Sequence, residues 1–392
     1  MKSLVIITHG YPCKSRPIWL AFVKEIAHSL ARSGVKVTVI FPHAVHRAVR
    51  AGDPFHWTED AGGGAAVEVF CPRYLSLSSI PVGGWNTERL TLEGFYQAAR
   101  RVLQRHLPEK PDALYGHFLY LGGAVAARLG RESGIPSFVA VGEGNLCSKD
   151  PHGTVRALKD LAGVTAYIPN SSELSRLLQV ELQVPQKRIG VFPNGIDRRI
   201  FHLRDRADMR RKYGLPADRF LVCCVGYFTE NKGPVRVGEA IRGLDDVGGV
   251  FVGSGPLPPE ADNIFFKSTV PHDQIPEIMA ACDVFVLPTK YEGCCSAILE
   301  AMACGLPIIS SQGAFNDDIL NNEVSMRVDP LDVDAIRQAI IVLKSSVSRR
   351  QAMSQAALAW SEHFCIDTRA KDVRAFMESW TMSAEKRSHD DK

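Results

Sequence analysis

The sequence has no long apolar run, and this absence limits the kinds of protein it can encode. No stretch of its 392 residues approaches the roughly 20 apolar residues that a transmembrane helix needs. Met1 and Lys2 lead directly into the strand-like run 3–8, which is too short for the apolar core of a secretion signal. We therefore expect a cytoplasmic protein.

The ten cysteines lack the spacing of a zinc site or of a disulfide framework. Cys223-Cys224 and Cys294-Cys295 are adjacent pairs, while Cys282 and Cys304 lie within apolar stretches. This pattern predicts reduced, mostly buried thiols. Asp332-Val333-Asp334 has the form of a metal-binding Asp-x-Asp, but it follows a proline at a predicted helix start, where aspartates cap. We expect no metal.

Charge is nearly balanced overall but differs between the two halves. Residues 1–190 carry 22 Lys and Arg against 15 Asp and Glu, whereas residues 191–392 carry 24 against 28. This asymmetry arises by chance or marks a first half that meets an anionic partner, such as a phosphorylated lipid or the inner face of an anionic membrane. No basic stripe with interleaved aromatics is present, so a nucleic acid partner is not expected.

Strand-like and helix-like runs alternate along the whole chain, which predicts parallel sheets covered by helices on both faces. The fold class is therefore α/β, with two Rossmann-like, doubly wound domains. The predicted elements include the strands 67–71, 137–141, 189–192, 284–287 and 325–328, and the helices 18–32, 172–181 and 316–320.

The turn-forming sequence Pro193-Asn194-Gly195 separates the two predicted domains. The first domain spans residues 1–192 and the second spans 193–365. A last helix, 366–382, has no strand after it. Residues 383–392 have almost no apolar content and are predicted to be disordered.

Two glutamates seven residues apart are the most informative feature of the second half. Glu292 lies in a Gly-containing turn after a buried strand, and Glu300 lies about two turns into the following helix. Carboxylates at these places accept hydrogen bonds from sugar hydroxyls, and the free backbone N–H groups at the helix N-terminus suit a phosphate. Together they point to a sugar nucleotide.

The segment 272–309 resembles the donor site of the retaining glycosyltransferases of family 4, which share a Glu-x7-Glu motif followed by Ala-Met-Ala-Cys-Gly-x-Pro. The resemblance implies the GT-B fold, two Rossmann-like domains facing across a cleft, with the donor on the second domain and the acceptor on the first. It implies that Glu300 holds the ribose hydroxyls. It also implies that Glu292 and the loop after it face the transferred sugar; the loop residues are Gly293, Cys294, Cys295 and Ser296.

Three further segments of the second half resemble family loops. The run 226–233 resembles the Gly-Arg-x4-Lys-Gly phosphate clamp, which assigns the diphosphate to Lys232, although Tyr227 replaces the arginine that follows Gly226. The loop 252–257 carries Gly253 and Gly255. Glycines there would let a donor approach the backbone, but a plain turn would use glycine equally well. His272 lies in a segment that the resemblance places under the base, and it is equally suited to a helix start.

In the first half, His117 ends a strand in a sequence that resembles the acceptor side of the family, where a structural role is equally open. Many relatives carry a histidine where this chain has Gly142. The neighbouring Glu143 is our candidate for acceptor activation or sugar positioning, with a surface turn as the alternative.

The sequence thus predicts a hexosyltransferase that acts with retention in surface polysaccharide or glycolipid assembly. Its donor would be a UDP- or GDP-sugar, used without a metal or another cofactor. Its acceptor would be lipid-linked or a saccharide, and the enzyme would associate peripherally with an anionic membrane. Two alternatives stay open: a nucleotide-sugar epimerase of the same fold, and a non-catalytic nucleotide-sugar-binding protein, which the replaced arginine and histidine would favour.

Overall fold

The computed structural model describes residues 1–17, 19–45, 52–76, 81–82, 85–143, 146 and 159–390, and for 81–82, 85–86 and 382–390 it describes the backbone alone. The chain divides into two compact units. The first unit comprises Met1–Phe192 together with Ile366–Lys392, and the second unit comprises Pro193–Cys365.

The first unit is built on a seven-stranded sheet with the order β11-β10-β9-β1-β2-β5-β4, in which only β4 runs antiparallel to its neighbour. Buried apolar runs form its central strands because helices cover both faces. Its strands are β1 Ser3–Ile7, β2 Lys36–Ile40, β3 His43–Ala44, β4 His56–Gly62, β5 Ala65–Phe70, β6 Arg73–Tyr74, β7 Pro81–Val82, β8 Trp85–Asn86, β9 Ala113–His117, β10 Ser137–Val141 and β11 Ala166–Pro169. Its helices are α1 Ala21–Arg32, α2 Glu88–Arg105, α3 Ala124–Ser133 and α4 Ser172–Glu181.

The second unit contains a six-stranded, all-parallel sheet with the order β14-β13-β12-β15-β16-β17. Its strands are β12 Phe220–Val225, β13 Val247–Val252, β14 Ile264–Ser268, β15 Val284–Leu287, β16 Ile308–Ser311 and β17 Ser325–Val328. Its helices are α5 Arg206–Lys212, α6 Pro234–Ile241, α7 Ile275–Ala280, α8 Ser296–Ala303, α9 Val333–Ser345 and α10 Val347–Ser361. In both units the strand order reverses at the first strand, as in doubly wound sheets.

The structure corrects two predicted elements. Residues 189–192 do not form a regular strand: Ile189 makes an isolated bridge to Tyr167, and the Gly190 and Phe192 N–H groups donate to the Tyr167 and Pro169 carbonyls of β11. The predicted helix 316–320 is replaced by one 3₁₀ turn, Ala314–Asn316, in which the buried Asn316 side chain donates to the Ser311 carbonyl instead of facing solvent. A local hydrogen bond of this kind competes with helix propagation.

The last helix, α11, spans Ile366–Asp390 and belongs to the first unit. Its buried residues Ala370, Val373 and Met377 pack in the same core as Leu4 and Ala27. It continues past the predicted end at residue 382, because extending an existing helix through Ala, Glu, Lys and Arg is easier than starting one. Of the predicted disordered tail, residues 391–392 lie outside the described residues.

Several local predictions are confirmed. Asp332 accepts a hydrogen bond from the Ala335 N–H at 2.9 Å, so it caps α9. The nine described cysteines are free thiols, and all but Cys365 are buried. Among the described residues, no helix combines the length and apolar content that crossing a bilayer needs.

Candidate active site

The main candidate site lies in the second unit, where the strand order reverses between β12 and β15. In open parallel sheets, ligands bind beyond the carboxyl ends of the strands at such a reversal. Lys232 lies after β12 and Glu292 lies after β15. The structure brings the two together: the Lys232 ammonium forms an ion pair with the Glu292 carboxylate.

Asn231 joins the two loops that carry this ion pair. Its side chain donates to the Tyr291 carbonyl at 3.0 Å and accepts from the Tyr291 N–H at 3.2 Å, and its own carbonyl accepts from the Lys290 N–H at 2.9 Å. Backbone and side chain thus hold both loops at a fixed separation. The neighbours Lys232 and Glu292 are placed by these bonds before any ligand arrives.

Lys232 is a charged group in a largely buried place. Burial works against its charged form, but the nearby Cys295 and the Glu292 carboxylate raise the pKa of Lys232 above its usual value. The ammonium is therefore protonated at neutral pH. Lys232 can also exchange its partner, because an incoming anion would take the place of the Glu292 carboxylate beside the ammonium.

The loop between the two glutamates is held by Asn194. Its side-chain amide donates to the Cys294 carbonyl at 3.0 Å and to the Ser296 hydroxyl at 3.1 Å. Cys295 is buried and precedes α8, and Glu292 and Gly293 begin the loop. The N-terminus of α8 has no side-chain cap, and its N-cap residue Cys295 lies near enough to Lys232 to affect the pKa of that ammonium, a combination suited to a phosphate.

Glu300 and His272 form the other end of this group. Glu300 lies on α8 and is 9% exposed. The His272 Nε2 atom lies 3.4 Å from the Glu300 Oε1 atom, and the His272 ring contacts Phe201 edge-on at 5.3 Å between centroids. The pair leaves a carboxylate next to an imidazole, both able to bond hydroxyl groups.

The glycines predicted to approach a donor allow two loops of the second unit to pack closely against each other. Gly253 and Gly255 have φ of 150° and 154°, and a side chain on Gly253 would clash with the Gly226 carbonyl. A Cβ on Gly255 would lie 2.7 Å from the Phe228 nitrogen. The loops after β12 and β13 therefore pack backbone to backbone. Tyr227, in place of the family arginine, is 60% exposed.

The first unit has its own group of candidate residues where its strand order reverses between β1 and β9. His117 ends β9, and its ring packs against Phe22 and Phe118 at 5.3 Å and 4.7 Å between centroids. Burial, with Arg369 and His9 nearby, lowers the pKa of His117 to about 3. His117 is therefore a neutral imidazole at physiological pH.

Glu143 lies next to the same turn and is tied to backbone. Its Oε1 atom accepts from the Leu119 N–H at 2.5 Å and its Oε2 atom from the Gly142 N–H at 3.0 Å. Burial raises the pKa of Glu143 to about 7, although these bonds favour the ionised form. The turn it holds is unusual, because Phe118 and Leu121 have φ of 67° and 56°, a region that costs side chains about 1–3 kcal/mol.

Three residues of these groups were missed by sequence reasoning. Asn194 was assigned to a turn and Asn231 lay unremarked within the run 226–233, and nothing in either pattern distinguishes an amide that joins two distant loops. His9 lies just after β1, and its ring lies 5.4 Å from that of Phe118. The signal for His9 is its place at the carboxyl end of β1. In a doubly wound sheet the first strand lies at the strand-order reversal, and here β1 adjoins β9 at that point.

Comparisons with known proteins agree with this arrangement. Residues 21–199 match the family model described as Glycosyltransferase Family 4, and residues 205–360 match the model described as Glycosyl transferases group 1. The chain belongs to the family 4 glycosyltransferases. The family resemblance predicted from residues 272–309 is thereby confirmed.

Relatives of this family 4 chain extend over most of its length. TuaC of Bacillus subtilis, whose name assigns it to teichuronic acid biosynthesis, is 26% identical over 368 residues, covering 86% of this chain and 88% of that protein. The UDP-Gal:alpha-D-GlcNAc-diphosphoundecaprenol alpha-1,3-galactosyltransferase of Escherichia coli is 29% identical over 259 residues, covering 59% of this chain and 66% of that protein.

The fold comparison reaches the same family architecture. Sucrose-phosphate synthase from Thermosynechococcus elongatus superposes with a TM-score of 0.80, covering 98% of this chain and 100% of that chain, at 18% identity. The predicted GT-B class is confirmed, and at this identity the likeness speaks for fold alone.

Proposed function

We propose that this protein transfers a sugar, with retention, from a nucleoside diphosphate donor to an acceptor hydroxyl. The observation that carries the proposal is the ion pair between Lys232 and Glu292, placed beside the first turn of α8 at the strand-order reversal of the second unit. Family membership supports the transferase class. The donor, the stereochemistry and the residue roles belong to the proposal.

The ion pair defines what donor binding must change. In the free protein Lys232 is neutralised by Glu292. A diphosphate would draw the Lys232 ammonium away, and the released Glu292 carboxylate would accept hydrogen bonds from the sugar hydroxyls. Each charge thus exchanges one partner for another. Lys232 then keeps an anionic partner throughout, while Glu292 exchanges its ion pair for hydrogen bonds that satisfy its oxygens.

The transfer step uses the same groups. The bond between the anomeric carbon and the diphosphate oxygen breaks, and the acceptor oxygen bonds to the same face of that carbon. The diphosphate leaves with the electron pair and takes up the hydroxyl proton. Lys232 and the N–H groups at the start of α8 offset its growing charge, and electrostatic stabilisation of this kind is usually the largest catalytic contribution.

The remaining residues would orient the reactants. Glu300 and His272 would bond the hydroxyls of the ribose and the edge of the base. In the first unit, His117 as a neutral imidazole and Glu143, whose pKa is raised to about 7, would bond acceptor or sugar hydroxyls. Orientation alone accounts for several orders of magnitude in rate.

We propose a UDP- or GDP-hexose as donor and a lipid-linked or saccharide acceptor, in surface polysaccharide or glycolipid assembly. The two bacterial relatives support this setting, because one is named for teichuronic acid biosynthesis and the other for a diphosphoundecaprenol acceptor. The positive charge of residues 1–190 supports peripheral contact with an anionic membrane.

The test is release of nucleoside diphosphate from a panel of UDP-, GDP-, ADP- and TDP-sugars, with thermal melting measured in parallel. Slow hydrolysis of one donor is expected, together with an increase in melting temperature. Glu300→Ala should lower the hydrolysis rate by about tenfold or more and should reduce the increase in melting temperature, because it removes the proposed ribose acceptor. The exposed Glu323 supplies the matched control, Glu323→Ala, which should behave as wild type.

Other outcomes separate the alternatives. Stabilisation by a donor without release, even with lipid and saccharide acceptors added, would support a non-catalytic binding protein. Conversion of the donor to its epimer without release would support an epimerase. Neither stabilisation nor release from any donor would contradict the donor-site assignment itself.

A further inference from the structure

A second group of reactive side chains lies in the first unit, away from His117 and Glu143 in the sequence. Cys13 lies in the loop after β1, His43 forms part of β3, and Asp53 precedes β4. All three are buried, with exposed fractions of 8%, 2% and 3%. One ligand atom from each, the thiol, an imidazole nitrogen and a carboxylate oxygen, lies within 4.8 Å of the other two.

Asp53 brings a negative charge into this buried place. Its Oδ1 atom accepts from the Ser15 N–H at 2.9 Å and its Oδ2 atom accepts from the Ser15 hydroxyl at 2.6 Å. A carboxylate that is only 3% exposed needs a compensating positive charge when it is ionised.

His43 offers that compensation only in its protonated form. Its Nδ1 atom lies 3.5 Å from the Asp53 Oδ2 atom, and its ring packs near Phe41 and Trp19 at 6.1 Å and 6.0 Å between centroids. A bound dication would instead compensate Asp53 while His43 stays neutral. Such an ion would also take the Cys13 sulfur as a ligand.

The combination of donor atoms selects the metal. A thiolate, an imidazole and a carboxylate form a mixed sulfur, nitrogen and oxygen set, which suits Zn²⁺ and does not suit Ca²⁺ or Mg²⁺. Ligand atoms around Zn²⁺ lie about 3–4 Å apart, given bond lengths of about 2.0–2.3 Å. The three ligand atoms lie within 4.8 Å of one another, and the His43 Nδ1 and Asp53 Oδ2 atoms are 3.5 Å apart, so small side-chain rotations would bring all three into that range.

A second thiol lies beside the group. Cys71 comes directly after β5, is 2% exposed, and lies near enough to Cys13 and Asp53 to interact with them electrostatically. Structural zinc sites take four protein ligands. Cys71 is therefore our candidate for the fourth ligand, which the experiment below tests.

We propose that Cys13, His43 and Asp53 bind one Zn²⁺ ion, with Cys71 as the fourth ligand. Binding would release the thiol protons of both cysteines. The ion would join the loop after β1 to β3 and to the chain before β4, three segments distant in sequence. Its role is structural: it fixes the loop that begins with His9 at the carboxyl edge of the first sheet. The inference does not depend on the function proposed for the second unit.

The experiment loads the full chain with Co²⁺, which occupies zinc sites and reports thiolate ligation by a charge-transfer absorption band. We expect one Co²⁺ per chain with this band, displaced by Zn²⁺, and a melting temperature raised by about 5 °C or more with Zn²⁺. Cys13→Ser and Cys71→Ser should each weaken the band, and His43→Gln and Asp53→Asn should lower metal affinity by about 100-fold or more.

Controls use the same chemistry elsewhere. Cys365→Ser removes a half-exposed thiol of the second unit, and His106→Gln removes an exposed imidazole of the first. Both should bind Co²⁺ as wild type does. Far-ultraviolet circular dichroism of each metal-free variant checks that it folds.

The proposal is overturned if wild type binds no Co²⁺ at micromolar concentration. It is equally overturned if folded Cys13→Ser and Asp53→Asn bind as tightly as the controls. An unchanged band in Cys71→Ser would remove Cys71 from the ligand set.

Discussion

The two units place their candidate residues at the same position of the same sheet topology, yet they treat charge in opposite ways. In the second unit, Lys232 and Glu292 keep their charges because each neutralises the other. In the first unit, His117 and Glu143 are packed against rings and backbone, and burial moves the pKa of each toward its neutral form. A diphosphate needs a cation, whereas a hydroxyl can be bound without any charge.

This contrast teaches that one topology provides two kinds of site through the residues at the carboxyl ends of its strands. The strand-order reversal supplies a crevice in both units. The loops after β12 and β15 carry a pair of opposite charges joined by Asn231, whereas the loops after β9 and β10 carry a strained turn and the carboxylate that holds it. Three variants test the contrast, in decreasing order of expected effect.

Removing the cation of the second unit should have the largest effect. Lys232→Ala leaves Glu292 without its partner and leaves a diphosphate without a counter-charge. We expect kcat/KM for donor hydrolysis to fall by about 10³-fold, the range seen when one electrostatic contact of a transition state is lost. Steady-state kinetics measures this loss.

The control is Lys212→Ala, since Lys212 also forms an ion pair, with Glu277 at 2.6 Å, but on a different surface of the second unit. It should retain activity within about twofold. A loss below tenfold in Lys232→Ala would contradict the assignment of the charge to the reaction.

Glu143→Gln tests whether the first unit favours a neutral group. A carboxyl with a raised folded-state pKa holds its proton more tightly when folded, so stability falls as pH rises from about 4.5 to about 7. Glutamine carries no such proton. Between pH 5 and pH 8 the wild type should therefore lose about 2 kcal/mol more unfolding free energy than Glu143→Gln.

Urea unfolding at the two pH values measures this difference. The exposed Glu109 supplies the control, and Glu109→Gln should behave as the wild type does. Parallel pH dependences in the wild type and in Glu143→Gln would mean that Glu143 is solvated, and the contrast between the units would disappear.

Asn194→Ala separates position from charge in the second unit, and its effect should be the smallest. It removes two hydrogen bonds to the loop 293–296 while both charges of the ion pair remain. We expect KM for the donor to rise by about tenfold, as about 1.4 kcal/mol of loop positioning is lost. Donor titrations monitored by melting temperature provide a second measure.

Its control is Asn321→Ala, because Asn321 also bonds local backbone, accepting from the Glu323 N–H at 2.9 Å, far from that loop in the sequence. It should leave KM unchanged. Equal effects of the two variants would mean that Asn194 contributes stability alone.

Local patterns carried most of the fold. Helix 172–181 and the strands 137–141, 284–287 and 325–328 have the predicted bounds, because apolar runs and a capping serine mark their ends. The strand β4 was missed, since its alternating polar residues describe an edge hairpin with one exposed face, and sequence reasoning sought buried runs.

The candidate site was predictable as a set of residues but not as a geometry. The motif spacing identified Lys232, Glu292 and Glu300, whereas the ion pair between two of them depends on Asn231 joining loops 60 positions apart. The group Cys13, His43 and Asp53 has no local spacing to detect. Only the folding of three separate segments brings these side chains together.

The position of α11 determines when the first unit can complete its core during synthesis. Its residues Ala370, Val373 and Met377 complete the core of the first unit, yet they are translated after the whole second unit. Until α11 is synthesised, part of the apolar core formed by the first 192 residues therefore stays uncovered. A chain released before Ile366 would expose that surface permanently, and such surfaces promote aggregation and recruit chaperones.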